Sequence, residues 1–262
     1  MKREFPFRLA TTSYIIPEAI MPNLHFLAPY VDEVELVLFE SGREDNLPSL
    51  GEIKEMRGLA AELDLTYNVH LPADAYLGDP DPSLRKQFRQ TLLRFYERTL
   101  PLEPEAYILH LDSRMANGEP NSDRSLWIQR VAEELHALVQ EDMNPQRVAL
   151  ENLEYSPTVI FPLAEMFGMG LCLDFGHLLR YGYDLKPQIE SHLARSSMVH
   201  LHGVRDGVDH LGLEWISQED WEVIREALGT YCGGVTLEVF SVNDLAPSLH
   251  RMQDLLKKEK QH

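Results

Sequence analysis

Ten residues able to bind a metal or move a proton recur at one kind of place, the C-terminal end of a short apolar run or just beyond it. His70 ends TYNVH, His110 ends AYILH, Glu151 ends RVALE, and Asp174 ends GLCLD with His177 close behind. His200 and His202 share MVHLH, Asp209 and His210 follow in the next loop, and Glu238 ends VTLE. An ionised carboxylate at the end of a buried strand is costly unless it is paired or metal-bound. Glu151, Asp174 and Glu238 have no Lys or Arg partner at a strand end, and carboxylates crowded on one rim repel one another. A divalent cation removes the conflict. Mixed carboxylate and imidazole ligands suit Zn²⁺, Mn²⁺ or Fe²⁺, with zinc the first expectation, whereas Mg²⁺ favours oxygen alone. Each residue singly has a bland reading as a hydrogen-bonded strand end. The weight lies in their coincidence over consecutive strands. His-x-His at 200–202 puts two rings on one strand face, although only one need bind metal.

Weaker candidates surround this set. Arg114 and Arg205 follow strand ends, where a guanidinium can grip a phosphate through two hydrogen bonds. With His202 and Asp209 they are the candidate substrate contacts. Glu40 is a candidate partner that orients a histidine from outside the metal shell. Tyr14, Tyr76 and Trp215 are candidates to line a pocket, with aromatic packing the first expectation, and His25, His136, His192, His250 and His262 are read as surface or packing residues.

Elements that could bring these residues together follow from the hydrophobic pattern. Strands are expected at 7–12, 34–40, 66–71, 106–111, 147–152, 170–175, 198–203 and 235–240, all too short and apolar for helices. Amphipathic runs alternate with them; SLRKQFRQTLLRFYERTL, for example, puts Leu84, Phe88, Leu92 and Phe95 on one face. Ser156 before Pro157, Ser217 and Asn243 are expected N-caps. Eight strand–helix pairs at roughly 30 residues each predict a single (β/α)₈ TIM-barrel domain spanning residues 1–262, whose strand ends converge on one catalytic rim. A doubly wound sheet would share the alternation, but no Gly-x-Gly-x-x-Gly follows the first strand. The loops at 72–82 and 112–122 are long enough to border a wide mouth.

Twenty-four basic against 42 acidic residues give a net charge of −18. Such a field repels a polyanion, so no nucleic-acid partner is expected, while a local metal-rich pocket can still take one small phosphate. Cys172 and Cys232 make no disulfide framework and are expected as buried small hydrophobes in a reducing compartment. No run approaches a membrane span and no leader is evident, so no membrane partner and a cytoplasmic location are expected.

The stretches NVHLP, ILHLD, LEN, LDFGH, VHLHG…DHLGL and TLEVF resemble, strand by strand along the whole chain, the xylose-isomerase-like barrel superfamily. That superfamily holds both endonuclease IV and sugar isomerases and epimerases. The resemblance implies one metal on Glu151, Asp174, His200 and Glu238, the isomerase set. By the endonuclease IV pattern a second metal would take His70, His110 and Glu151, and a third His177 and His210. That third site also uses an aspartate two residues before the histidine, where this chain has Val208, with Asp206 and Asp209 nearby. An isomerase does not need His70 and His110 as ligands, and a multinuclear site suits phosphoester hydrolysis. TTSYIIP, VELVLFE and TYNVHLP are most similar to the cobamide-remodelling phosphodiesterases of the superfamily, which cut the phosphoester in a cobamide nucleotide loop. The expected activity is therefore a metal-dependent phosphodiesterase on a small molecule, a cobamide foremost, with Glu151 and Glu238 as catalytic carboxylates. The alternative is a single-metal sugar or sugar-phosphate isomerase or epimerase, in which the same two carboxylates move a proton as base and acid.

Overall fold

The computed structural model describes residues 2–40, 42 and 46–256; His262 lies outside them. Eight parallel strands form the core: β1 (Arg8–Thr12), β2 (Glu33–Val37), β3 (Thr66–His70), β4 (Tyr107–His110), β5 (Val148–Glu151), β6 (Gly170–Asp174), β7 (Ser196–Leu201) and β10 (Gly234–Leu237). They close a barrel in the order β1-β10-β7-β6-β5-β4-β3-β2. Between β7 and β10 the chain adds a small hairpin of β8 (Gly203–Arg205) and β9 (Val208–Leu211). Helices α1 (Ile20–Leu27), α2 (Leu50–Leu63), α3 (Pro82–Thr99), α4 (Arg124–Gln140), α5 (Phe161–Phe167), α6 (Phe175–Arg180), α7 (Leu185–His192), α8 (Gln218–Leu228) and α9 (Val242–Leu256) lie between or after the barrel strands. The (β/α)₈ barrel expected from the alternation is the fold observed.

Capping fixes where several helices begin. Ser49 and Glu52 form a reciprocal capping box at α2, and Asp81, Asp123 and Ser217 each accept a backbone N–H of the first turn of α3, α4 and α8. Asn243 does not cap α9: Ser241 Oγ accepts from Asp244 N at 3.2 Å, which leaves Asn243 inside the first turn. Ser156 caps a short 3₁₀ turn (Pro157–Val159) rather than α5, which begins only at Phe161.

The strand interior is layered. At the N-terminal end Glu33 is wholly buried and accepts hydrogen bonds from Arg8, Thr66 and Asn68. Above it Ala106, Ile108, Ala149, Cys172 and Met198 plug the barrel. The polar residues at the C-terminal ends sit on this plug, so the rim has a dry floor. Cys232, by contrast with Cys172, is exposed rather than buried, because it lies in the turn before β10 enters the barrel at Gly234.

The hairpin after β7 is the one departure from simple alternation, and it shapes the rim. Asp206 and Gly207 at its tip both have positive φ, 53° and 78°, the geometry of a tight two-residue hairpin turn. The antiparallel return carries His210 back over the barrel mouth. The loops at 72–82 and 112–122 form one wall: Asp79, 4% exposed, accepts from Ala116 N, and Asn121 donates to Gly78 O. Among the described residues no helix is long and apolar enough to cross a membrane.

Candidate metal centre

Strand register brings the candidate ligands side by side. His110 on β4 pairs with Glu151 on β5, and Asp174 on β6 with His200 on β7. Glu238 follows β10, its N–H bonded to Leu201 O at 3.1 Å. Glu151 lies at the centre. Its Oε2 is 2.9 Å from His110 Nε2 and 3.4 Å from His70 Nε2, while Oε1 is 3.3 Å from His200 Nδ1. Glu238 Oε2 is 3.2 Å from His200 Nδ1 and 3.4 Å from His210 Nε2. Among the described residues four groups of ligand atoms lie within 4.8 Å of one another: His70, His110 and Glu151; Glu151, Asp174, His200 and Glu238; Glu151, Cys172 and His200; and His177, His202 and His210.

The anchoring of the rings tells which nitrogen faces the centre. His70 Nδ1 is 2.8 Å from Leu71 O; His177 differs, its Nδ1 lying 3.0 Å from both Asn152 O and Asp174 Oδ2 and 3.5 Å from Glu151 Oε1, so that this nitrogen faces the carboxylates. His200 Nε2 is 3.0 Å from Glu35 Oε2, and His210 Nδ1 is 3.2 Å from Asp209 Oδ1. A ring that donates its proton to an oxygen outward turns its lone pair inward, the usual arrangement of a metal-binding histidine. The carboxylates are held in the same way. Asn152 clamps the Asp174 backbone by accepting from its N–H at 2.8 Å and donating to its C=O at 3.0 Å. Asp174 Oδ1 then caps α6 by accepting from His177 N at 2.7 Å, while Oδ2 lies 3.0 Å from His177 Nδ1.

The atoms turned inward face one another. Both oxygens of Glu151, Asp174 Oδ2, Glu238 Oε2, His200 Nδ1 and His202 Nε2 are buried and meet their neighbours in carboxylate–imidazole contacts of 2.9–3.4 Å rather than in hydrogen bonds of regular geometry. Buried carboxylates and imidazoles converging in this way fit divalent cations. Without them, protons have to compensate. Burial alone would push His200 down and Glu151 up. Instead Cys172 and the carboxylates of Glu35, Glu238 and Glu151 hold His200 well above the usual imidazole range, and His110 and His200 hold Glu151 well below the carboxylate range. Burial likewise opposes a charged His210, but Glu238 and Asp209 hold it up to about 11.

The other candidates are placed as follows. Asp209 faces His210, forms an ion pair with Arg180, and has Oδ2 3.9 Å from His177 Nε2. Arg114 is paired with Asp112, and Arg205 lies on the hairpin with its guanidinium 4.0 Å from the Trp215 ring centre. Val208 is 56% exposed. Tyr76 packs on Phe88, and His192 on Phe161. The carboxylate that holds His200 is Glu35, inside β2, whereas Glu40 is exposed beyond that strand. Attention to strand ends alone passes over Glu35; its signal in the sequence is two glutamates at period two in a buried strand.

A cavity of about 730 Å³ flanks the rim, lined by Ser13, Tyr14, Ile20, Phe39, Glu40 and Phe240 among others. Phe39 meets His70 edge-on at 4.5 Å and Phe240 lies 5.4 Å from His210, so the cavity abuts the ligand cluster. Its size suits a ligand larger than a simple sugar.

With barrel and ligand cluster both defined, comparison with known proteins places the chain. Residues 31–259 match the family described as xylose isomerase-like TIM barrel, and the chain belongs to that family. No curated protein matches it in sequence. Among solved structures it is similar to a D-tagatose 3-epimerase-like protein (TM-score 0.77, 19% identity, covering 97% of this chain and 99% of that one). It is also similar to endonuclease IV from Thermus thermophilus (TM-score 0.74, 16% identity, 96% and 99%). A third is D-psicose 3-epimerase from Clostridium cellulolyticum (TM-score 0.72, 15% identity, 97% and 98%). At these identities the likeness is one of fold.

Proposed function

We propose that the protein is a metal-dependent phosphodiesterase acting on a small phosphodiester, with the nucleotide loop of a cobamide as the leading substrate. The observation that carries this reading is the trio His70, His110 and Glu151 beside the set Glu151, Asp174, His200 and Glu238. Glu151 turns one oxygen to each group, Oε2 toward His70 and His110 and Oε1 toward His200, so that one carboxylate can serve both. Divalent ions held there, Zn²⁺ first and Mn²⁺ or Fe²⁺ as alternatives, supply Lewis acidity toward phosphoryl oxygens and acidify bound water.

The chain's own residues do the rest. Glu35, Asn152, Leu71 and Asp209 hold the ligand side chains in orientation, and the apolar plug keeps water from beneath. The flanking cavity can take the bulk of the substrate while its phosphate meets the rim. The net charge of −18 disfavours a long polyanion, so DNA is not the proposed substrate even though an endonuclease shares the fold.

The test is a panel of cobamides and sugar phosphates assayed with metal-replete protein under reducing, anaerobic conditions. Release of a cobinamide and the lower-ligand riboside phosphate is expected. Intact cobamides would remove that substrate, and sugar isomerisation with about one metal per chain would remove the hydrolase class. The second reading, a single-metal sugar or sugar-phosphate isomerase or epimerase, is favoured by the four-residue set taken alone. Glu151 and Glu238 would then stand on either side of His200, placed to exchange a proton.

A further inference from the structure

We propose that His202 is a positioning residue whose neutral imidazole couples the hairpin to the barrel, accepting from His210 N–H at Nδ1 and turning Nε2–H to Asp174 Oδ1. Two candidate metal ligands are thereby held in register by one ring. The consequence for metal binding rests on the metal reading of the rim; the geometry does not. The available donors fix the tautomer. His210 N lies 3.0 Å from His202 Nδ1. A backbone N–H can only donate, so Nδ1 presents a lone pair. The proton of the neutral ring is then on Nε2, 3.3 Å from Asp174 Oδ1. Gly203 O is also 3.3 Å from Nδ1, but a proton on that nitrogen would confront the His210 N–H. With its proton on Nε2 the ring has no lone pair to offer a cation there, so His202 serves the ligands without being one.

The surroundings hold the ring in this place. It is wholly buried, and its nitrogen edge lies against Gly176, where a Cβ would stand 2.1 Å from Cε1 and 2.3 Å from both nitrogens. Its face stacks on the His210 ring at 4.3 Å between centres. His210 adopts φ of 56°, a left-handed conformation that persists in a non-glycine residue where the surroundings fix it. The bond into His202 is such a constraint, and with the N–H so held the His210 side chain faces Glu238, Nε2 to Oε2 3.4 Å.

On the barrel side, Asp174 Oδ1 meets two donors, His177 N at 2.7 Å and His202 Nε2–H. Two donors on one oxygen set the plane of the carboxylate and leave Oδ2 beside His177 Nδ1, 3.0 Å away. A carboxylate at the end of β6 and an imidazole on the hairpin are thus fixed relative to each other through a single side chain. This gives the second ring of His-x-His at 200–202 a role that needs no metal contact.

Three variants of the full-length chain separate the two contacts. His202→Asn places an amide oxygen near the Nδ1 position, to accept from His210 N. His202→Gln reaches the Nε2 position with an N–H for Asp174, and His202→Phe keeps a ring with neither contact. The first readout is the imidazole nitrogen NMR spectrum of the metal-free wild type, with His202→Asn to assign the His202 signals. Nε2 protonated and Nδ1 bare is expected, and a proton on Nδ1 would overturn the proposal. The second is hydrogen exchange at the His210 amide, expected to be slow in wild type and His202→Asn and about tenfold faster in His202→Gln and His202→Phe. The third is zinc affinity by chelator competition, which should fall about 10–100-fold in His202→Phe, with the asparagine and glutamine variants each recovering part. Wild-type exchange and wild-type zinc affinity in His202→Phe would overturn the coupling. If that variant does not fold, equal His210 exchange in His202→Asn and His202→Gln would overturn it instead. A wild type that holds no zinc would refute the metal reading of Proposed function, and the tautomer and exchange measurements would still decide the role of His202.

Discussion

The sharpest quantitative test falls on Glu35, which touches no substrate. Its Oε2 accepts from His200 Nε2 and from Thr236 Oγ1, each at 3.0 Å, in a wholly buried setting. A hydrogen bond to a charged group contributes about 1.5–3 kcal/mol and a neutral one about 1 kcal/mol. Glu35→Gln keeps the shape and an acceptor oxygen but loses the charge, a loss of about 1 kcal/mol or slightly more. That corresponds to roughly tenfold in affinity for the ion held by His200, at the low end of the roughly 10–100-fold typical of such outer partners. Glu35→Leu strands both the His200 N–H and the Thr236 hydroxyl at about 1–3 kcal/mol each, so it should lose more than tenfold and part of the fold's stability as well. Competition with a chromophoric chelator gives the affinity. The melting temperature with and without zinc gives an independent reading, because tenfold weaker binding removes about 1.4 kcal/mol of ligand stabilisation, or roughly 3–6 °C at this chain length. Zinc affinity of Glu35→Gln within twofold of wild type would refute the argument that this bond sets the ring.

Four further outcomes are expected. Glu238→Ala should lose metal and activity yet melt cooperatively, since Glu238 stands on the rim and not in the plug; full activity would remove it from the site. His70→Ala or His110→Ala should lower both metal content and phosphodiesterase rate, the latter by about two orders of magnitude or more; if both quantities stay unchanged, the multinuclear reading is wrong. Abasic duplex DNA should be neither cut nor tightly bound at physiological salt, and binding with a steep salt slope in a filter assay would contradict this. Burial raises the Glu33 carboxyl above its usual range against the opposing pull of Arg8 and Asn68. The folded state therefore holds more protons there than the unfolded chain, and stability should fall as pH rises from about 4.5 through the folded value. Glu33→Gln should flatten that fall in urea titrations across pH, and an unchanged slope would show that Glu33 is not its source.

Much of the ligand set is legible in the sequence because metal chemistry restricts residue types, and a barrel puts strand ends on one rim. His110 and Glu151 can be expected together before any register is known. What lies inside the strands is less visible. Glu35 breaks the apolar run of β2 and reads as solvent-facing until the barrel closes around it. The hairpin at 203–211 reads as a loop, although Asp206-Gly207 carries the signal of a two-residue turn. Its effect on the site is large, since only the reversal brings His210 over His177 and His202. Asn152 stands out in the sequence only as part of LEN, and its clamp on Asp174 needs the register between β5 and β6.

The same register divides the candidate ligands into two sets. The set Glu151, Asp174, His200 and Glu238 comes from β5, β6, β7 and the end of β10, which are adjacent in the barrel. The additional imidazoles enter from the flanks: His70 and His110 from β3 and β4, His177 from the first turn of α6, and His210 from the hairpin. None of them is needed to close the barrel, so they can be gained or lost without cost to the core. Here His70 and His210 have the outer nitrogen anchored, by Leu71 and by Asp209. Side chains free of a role would not need such anchors. On the proposed phosphodiesterase reading these anchors would hold the rings in place before substrate arrives, whereas the one-metal reading gives the rings no ligand role.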